Sequence, residues 1–509
     1  MNLLATWLTR AAARHPEAVA LVDADGAHSY RSLLDRATLL AGRLQGRGPR
    51  PLPVAAVQTA SAQALAWSAH AASLLGCALL PLNPALSTGR RDALLQLAGA
   101  RDATGIMLDA LADEGEDGNT APAPWTENGI ELLIATSGTQ GEPKAVMLSG
   151  ANLQAATLAS RNRLPLATGD AWLVCLPLYH IGGMAILYRC AEAGATAVLH
   201  QGFDPLRVWQ DLEKCRVSHI SLVPAMLARL LDAACEAPPP ATLKYALVGG
   251  GPLSAALALR ARLAGWPVCA SYGMSETGSQ VATLCDVPNG HGESLFHNSE
   301  RRFAMTVPLT PSPLPQAGEG DEVSLRESYV KDLAPGQVGL PLEGFEVEIV
   351  GEDGRPTPGT GRIRIRGNAV MAGYANPQRR PGMGLEQGWF LSGDLGRLDQ
   401  QGRLTVLGRH DDMLVSGGVN VHPQAVEEVL QRCPGVADAA LTAVADEIWG
   451  DLLVALVAGE ASDEALEKWC REKLPGAMRP RRFVRVERLP RNALGKLERQ
   501  ALSGLVRHY

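Results

Sequence analysis

The chain has 509 residues, 46% hydrophobic and 20% charged, which is too long for one ordinary core and implies two or more lobes. A net charge of -6 gives no sign of the basic face that nucleic acid or an anionic membrane would select, so neither is expected as a partner. Nine cysteines stand at 77, 175, 190, 215, 235, 269, 285, 433 and 470, with no C-x-x-C pair and no metal-ligand spacing to histidine. That pattern implies a reducing cytoplasm and no structural zinc.

The first 23 residues lack a long apolar core and a small-residue cleavage site, so they read as an amphipathic helix rather than a signal peptide. Next come AVALVD, SLLDRATLLAGRL, PVAAVQ and ALAWSAHAASLL. Strand and helix patterns in alternation imply α/β layers with largely parallel sheets. The apolar run 64–82 nearly reaches membrane-span length, but Ser68, His70, Ser73 and Gly76 interrupt it and Pro81 is read as ending it. A buried helix followed by a strand is expected there, without stable membrane insertion. Further strands are predicted at 132–135, 172–176, 195–199, 220–222 and 245–248.

Residues 289–331 are rich in Pro, Gly, Ser and charge, with no sustained period. They are expected to form a protease-accessible surface insertion, the alternative being an ordered lid or interaction loop. Beyond 340, FEVEIV, GRIRIRG and GRLTVLG alternate with Gly and Pro turns, which predicts a small β-rich lobe. Beyond 409 the pattern is α+β, with helices at 423–433 and 463–473 and strands at 439–444 and 453–458. The expected fold class is therefore α/β. Residues 1–408 form a large multi-lobed domain of mostly parallel sheets with a small β-rich lobe, and 409–509 form a small α+β domain.

Four segments carry chemistry. In Thr136-Ser137-Gly138-Thr139-Gln140-Gly141-Glu142-Pro143-Lys144, small hydroxyl and glycine residues follow an apolar strand. Such a loop brings N–H groups and hydroxyls close to phosphates, and the lysine adds positive charge. It is not a Walker A loop, and alone it would equally suit a flexible surface turn. Ser271-Tyr272-Gly273-Met274-Ser275-Glu276-Thr277-Gly278 gathers an aromatic face, hydroxyls and a carboxylate, suited to a base, a phosphate and Mg²⁺, or to an ordinary strand exit. Asp394 and Arg409, each beside a glycine, suit the hydroxyls of a ribose or a surface ion pair. Lys496, in Arg491-Asn492-Ala493-Leu494-Gly495-Lys496, is a compact ammonium in a chain that prefers arginine.

In this order the four segments resemble the adenylate-forming superfamily of acyl-CoA synthetases, luciferases and peptide-synthetase adenylation domains, over nearly the whole chain outside 289–331. Within it, the segments 176–184 (LPLYHIGGM) and 217–224 (VSHISLVP), with Arg189, are similar to the o-succinylbenzoate–CoA ligases. The chain departs from the usual pattern at Gln140, Ala145 and Ser275.

The resemblance implies adenylation of a carboxylic acid with release of pyrophosphate, then transfer to a thiol. ATP, Mg²⁺ and coenzyme A are the implied cofactors and co-substrate. The implied acid is aromatic and o-succinylbenzoate-like, as in menaquinone synthesis. Lys496 would bridge the carboxylate and the α-phosphate, and Glu276 would hold Mg²⁺. Thr136, Ser137, Gly138, Thr139, Gly141 and Lys144 would cradle the phosphates, with Ser275 or Thr277 at the α-phosphate. Asp394 and Arg409 would take the ribose, and Gly249, Gly250, Gly251 and Tyr272 would flank the adenine. His180, Gly183, Met184 and Arg189 would meet the acid, the glycines leaving room for a ring. The small domain would rotate about Asp411, bringing Gly417 and Gly418 to the thiol channel.

Three other readings stay open. A separate carrier protein would supply the thiol in place of coenzyme A. A degenerate member would bind without catalysis. A dinucleotide oxidoreductase would use the strand before Gly249-Gly250-Gly251, although no Asp or Glu occurs from Gly251 to Met274 to hold a ribose.

Overall fold

The computed structural model describes residues 2–47, 54–112, 129–137, 143–285, 336–376, 378, 380–446, 448–492 and 495–506. The expected insertion at 289–331 lies outside them, as do Gly138, Thr139, Gln140 and Gly141.

Among the described residues the strands form four sheets. The first has eight strands in the order Ser279–Cys285, Val268–Met274, Tyr245–Val248, His219–Leu222, Ala171–Val174, Thr196–Leu199, Val19–Asp23, Gly26–Ser29. All its pairings are parallel except those of the two edge strands. Such strands are covered by helices on both faces, which is why AWLV at 171–174 and ALV at 246–248 read as unbroken apolar runs rather than alternating ones.

The second sheet runs Gly373–Tyr374, Pro143–Ser149, Ile130–Ser137, Ala78–Leu82, Val54–Gln58, Arg101–Asp102. The helix before Ala78–Leu82 spans Ala62–Leu75 and is buried all round from Ala64 to Leu74. Ser61 caps its start by accepting from Ala64 N, and Gly76 ends it in the left-handed region at φ 71°. An all-round apolar helix is a core helix, as the sequence implied. Pro81 does not end the strand but lies within it, opposite Val57. Pairing to Ile130–Ser137 is recorded only at Leu79↔Leu132, so the missing proline N–H falls beyond that ladder. The amphipathic N-terminal helix, Leu3–Arg14, is tied to this sheet by buried Glu131, whose two oxygens accept from Leu3 N at 2.9 and 2.8 Å.

The third sheet is antiparallel: Gln337–Gly339, Leu404–Arg409, Phe390–Leu398, Gly361–Gly367, Phe345–Val350. It is the expected β-rich lobe. The fourth sheet begins at Leu414 and is built on the hairpin of Val436–Asp446 and Gly450–Gly459. Helix Asp463–Lys473 has the bounds the sequence predicts. Ser462 accepts from Ala465 N, Asp463 and Glu464 occupy the first turn, and Arg471 and Lys473 occupy the last. No helix among the described residues is long and apolar enough to cross a membrane.

One pairing departs from the reduced cysteines that the spacing implied, because strand register rather than spacing brings the two residues together. Cys269 and Cys285 face each other across the antiparallel pair Val268–Met274/Ser279–Cys285, with Cα atoms 4.1 Å apart, and form a disulfide.

Candidate active site

The first, second and third sheets and the fourth-sheet region meet at a cleft of about 1200 Å³. The parallel strands of the first sheet point their carboxyl ends into it, the usual ligand position in open α/β sheets. Gly250 and Gly251 follow Tyr245–Val248 there, and Ser275 and Glu276 follow Val268–Met274. Gly250 needs its missing side chain for φ 74°. Gly249 lies just behind, where a Cβ would come 3.2 Å from the Ser271 carbonyl oxygen.

From the second sheet come Thr136 and Lys144, which face each other across the strand pair that flanks the hydroxyl-rich loop. From the third come Asp394 and Arg409, also a directly opposed cross-strand pair. Arg409 Nη1 lies 3.2 Å from Asp394 Oδ1, and the Tyr272 hydroxyl donates to Asp394 Oδ2 at 2.8 Å. Burial first, then the Asp394 charge, pushes the Tyr272 phenol well above its ordinary pKa, so it stays a donor. Gly393 leaves room for the Arg409 guanidinium in this position, since a Cβ would lie 2.5 Å from Nη2 and displace it.

Lys496 enters from the C-terminal side. Its Cε would lie 3.6 Å from a Cβ on Gly250, and Gly495 (φ 72°) packs against Ala225. The side chain is open to the water of the cleft but lies deep between walls. Desolvation therefore lowers its pKa from 10.5, with Asp394 opposing and Arg409 adding to the shift. No ion pair of Lys496 is present among the described residues, which leaves its ammonium available to an anion. His180, at the start of helix Ile181–Ala193, is pushed down to about 4 by burial and by the Lys496 charge, so its imidazole is neutral near pH 7.

Glu276 Oε1 accepts from the Tyr374 hydroxyl at 2.8 Å. No three acidic, His or Cys side chains cluster as a metal cage among the described residues. A lone carboxylate fits Mg²⁺, which keeps waters and is held by one or two carboxylates plus substrate phosphates.

Several predicted residues take other places. Thr277 is fully buried, with Oγ1 3.1 Å from Met274 O and 3.3 Å from Ser279 O, so its hydroxyl closes the turn and Ser275 is left facing the cleft. His180, Gly183, Met184 and Arg189 are not among the residues lining the cleft, although the Lys496 charge reaches His180. A Cβ on Gly183 would sit 2.5 Å from Pro177 O, so the missing side chain serves packing of the helix on that loop rather than room for a ring. Met184 is fully buried. Arg189 is buried behind the wall, donating to Ser279 Oγ at 3.2 Å and stacked 5.1 Å from the Trp172 ring centroid, with Nε and Nη1 unpartnered among the described residues.

Gly417 and Gly418 form the two-residue turn between Leu414–Ser416 and Val419–Val421, at φ 56° and 78°. A two-residue hairpin with both φ positive favours glycine. The turn lies beside Trp449 and outside the cleft. Asp411 does line the cleft, with Oδ2 3.7 Å from Arg409 Nη2.

Sequence reasoning missed Tyr374, Asp412 and Arg499. Arg499 Nε meets Asp412 at 3.0 Å, and its two terminal nitrogens meet both Glu427 oxygens at 2.9 Å. These links span about 70 to 100 positions, and no local pattern announces them.

The sequence profile of AMP-binding enzymes matches residues 8–375, and that of the AMP-binding enzyme C-terminal domain matches 425–496. The 2-succinylbenzoate–CoA ligase of Bacillus licheniformis is 32% identical over 515 residues, covering 97% of this chain and 98% of the relative. The same enzyme of Bacillus subtilis is 31% identical over 518 residues, covering 97% of each. The structure of o-succinylbenzoate–CoA synthetase from Bacillus subtilis with the acyl-adenylate intermediate OSB-AMP has a TM-score of 0.80 at 30% identity, covering 97% of each chain. That enzyme with ATP and magnesium ion gives 0.80 at 30% identity, covering 98% of this chain and 99% of the other. The chain therefore belongs to the AMP-binding enzyme family.

Proposed function

We propose that this protein is an AMP-forming acid–thiol ligase that adenylates o-succinylbenzoate and transfers the acyl group to coenzyme A. The observation that carries the reading is the convergence of Lys496, Asp394, Arg409, Tyr272 and Glu276 on one cleft. The near full-length likeness to 2-succinylbenzoate–CoA ligases supports the choice of acid and thiol.

In the first half-reaction a carboxylate oxygen attacks the α-phosphorus of ATP. The bond to the α–β bridging oxygen breaks, and pyrophosphate leaves. Two anions must meet, so the work is positioning and charge neutralisation. Lys496 holds the acid carboxylate against the α-phosphate. Asp394 accepts from the ribose hydroxyls, kept in place by Tyr272 and Arg409. Ser275 donates to the α-phosphate, while Thr136 and Lys144 flank the β- and γ-phosphates. Glu276 holds the Mg²⁺, which supplies Lewis-acid neutralisation of phosphate charge when bound. Neutral His180 borders the acid without adding a second cation to compete with Lys496.

In the second half-reaction the thiol sulfur attacks the acyl carbon and AMP leaves. The C-terminal region turns about Asp411, withdrawing Lys496 and bringing the Gly417–Gly418 turn to the acyl group, where absent side chains allow close approach. The arrangement described here, with Lys496 in the cleft and Gly417 outside it, suits the first step.

The test is pyrophosphate release with Mg-ATP across o-succinylbenzoate, benzoates and fatty acids, each with and without coenzyme A, with products identified by mass. The o-succinylbenzoyl-CoA thioester should form. Acid-dependent release without a CoA product would overturn the acceptor assignment in favour of a carrier protein. Preference for another acid would overturn the substrate.

A further inference from the structure

We propose that Tyr374 is a positioning residue for Mg-ATP: its hydroxyl orients the Glu276 carboxylate while the face of its ring seats Lys144. The proposal rests on the reading of Glu276 as the carboxylate that meets the metal.

The arrangement follows from strand register. Gly373–Tyr374 pairs antiparallel with Pro143–Ser149, with Tyr374 opposite Val146. Lys144 lies two residues from Val146 and so shares its face of the sheet, within diagonal reach of an aromatic ring. Its Nζ sits 5.1 Å from the Tyr374 ring centroid, a cation–π distance. The hydroxyl at the far end of the same ring donates to Glu276 Oε1 at 2.8 Å. That is the one hydrogen bond of the Glu276 side chain among the described residues. Met371 N donates to the Glu276 carbonyl at 2.7 Å, so the segment ending in Tyr374 grips backbone and side chain together.

The ring itself has little freedom. Phe390 meets it edge-on, with centroids 6.5 Å apart and planes at 74°. The Gly382–Gly384 turn lies over it. Tyr374 N donates to Met383 O at 2.8 Å, and a Cβ on Gly384 would come 2.5 Å from Tyr374 Cδ2. One rigid ring thus links the lysine beside the phosphate loop to the carboxylate on the turn after Val268–Met274. A ligating carboxylate that is oriented by an outer partner loses metal affinity when that partner is removed.

A role in packing alone would show only in stability, and the two halves of the ring separate the functions. Tyr374→Phe keeps the platform and removes the hydroxyl, whereas Tyr374→Leu removes both. Mn²⁺ binding to the enzyme–ATP complex is counted by electron paramagnetic resonance, alongside metal-free ATP binding, the Mg²⁺ dependence of pyrophosphate release, and Tm. Tyr374→Phe should weaken Mn²⁺ binding and raise the half-saturating Mg²⁺ about tenfold. Its Tm and metal-free ATP affinity should match wild type. Tyr374→Leu should also weaken metal-free ATP binding. Wild-type Mn²⁺ affinity in Tyr374→Phe, with Glu276→Gln impaired, would overturn the proposal and leave the Glu276 reading standing. Wild-type Mn²⁺ affinity in Glu276→Gln would overturn both.

Discussion

The Tyr272 hydroxyl donates to Asp394 Oδ2 at 2.8 Å, joining the first sheet to the third across the mouth of the cleft. Asp394 Oδ1 is met by Arg409, so the carboxylate is fixed from two sides before any nucleotide arrives. Tyr272→Phe should leave the ring in place and release one side. The expected result is a rise of about fivefold to tenfold in the KM for ATP with little change in kcat, equivalent to one hydrogen bond. Steady-state kinetics with saturating acid check it. An unchanged KM would mean that Asp394 does not hold the ribose.

Lys496→Ala should lower adenylation by about two to three orders of magnitude, the usual cost of a group that stabilises developing charge. Thioester formation from supplied acyl-adenylate and coenzyme A should persist, because the proposed rotation withdraws Lys496 from the cleft for that step. Rapid-quench measurement of each half-reaction separates the two. Equal loss of both would contradict the rotation about Asp411.

The Lys496 ammonium also sets a pH limit. Desolvation lowers its pKa from 10.5, and only the protonated form neutralises phosphate. The kcat/KM for ATP should fall as pH rises through a value below 10.5. Lys496→Arg, which does not deprotonate in this range, should move that limb upward. A limb that stays in place assigns it to another group.

Acid should weaken the fold through its buried histidines, His70 and His219 among them. Burial holds His70 and His219 down at about 4, against 6.5 when exposed. The unfolded chain therefore binds more protons between those values. Stability is full above about pH 6.5, falls as pH drops toward 4, and changes no further below. At pH 5 each histidine contributes a loss of about 2 kcal/mol. His70 Nδ1 has no partner among the described residues, so His70→Leu should cost little at pH 7.5 and remove its share of the acid loss. Urea unfolding at both pH values checks this, and an unchanged pH dependence would count against it.

Glu427 is buried under the two-pronged contact of Arg499 and also accepts from Leu441 N at 2.8 Å. Arg499→Met should destabilise the C-terminal domain by about 3 kcal/mol, since it leaves a buried carboxylate without its cation. Denaturant unfolding with Trp469 fluorescence reads that region. A change under about 0.5 kcal/mol, the range of an exposed pair, would contradict the burial argument.

Much of the frame could be read in advance because period and caps are local. Tyr245–Val248 and Asp463–Lys473 have the bounds the pattern predicts, and the run 64–82 resolves into a core helix and a strand. Asp394, Arg409, Glu276 and Lys496 were legible as a set because each sits in a recognisable segment. The errors arose where a side chain's direction decides. Thr277 and Ser275 are equivalent in the sequence, yet the short turn buries one hydroxyl and exposes the other. Gly183 looked like space and is a contact. Tyr374 and the Cys269–Cys285 pair depend on register between strands, which composition does not carry.

The most direct test of the account is ATP–pyrophosphate exchange with Mg²⁺ and o-succinylbenzoate in the absence of any thiol. Exchange should require the acid, because Lys496, Asp394 and Glu276 share one cleft suited to forming an acyl-adenylate. No exchange from protein that binds ATP, or exchange indifferent to the acid, would contradict it.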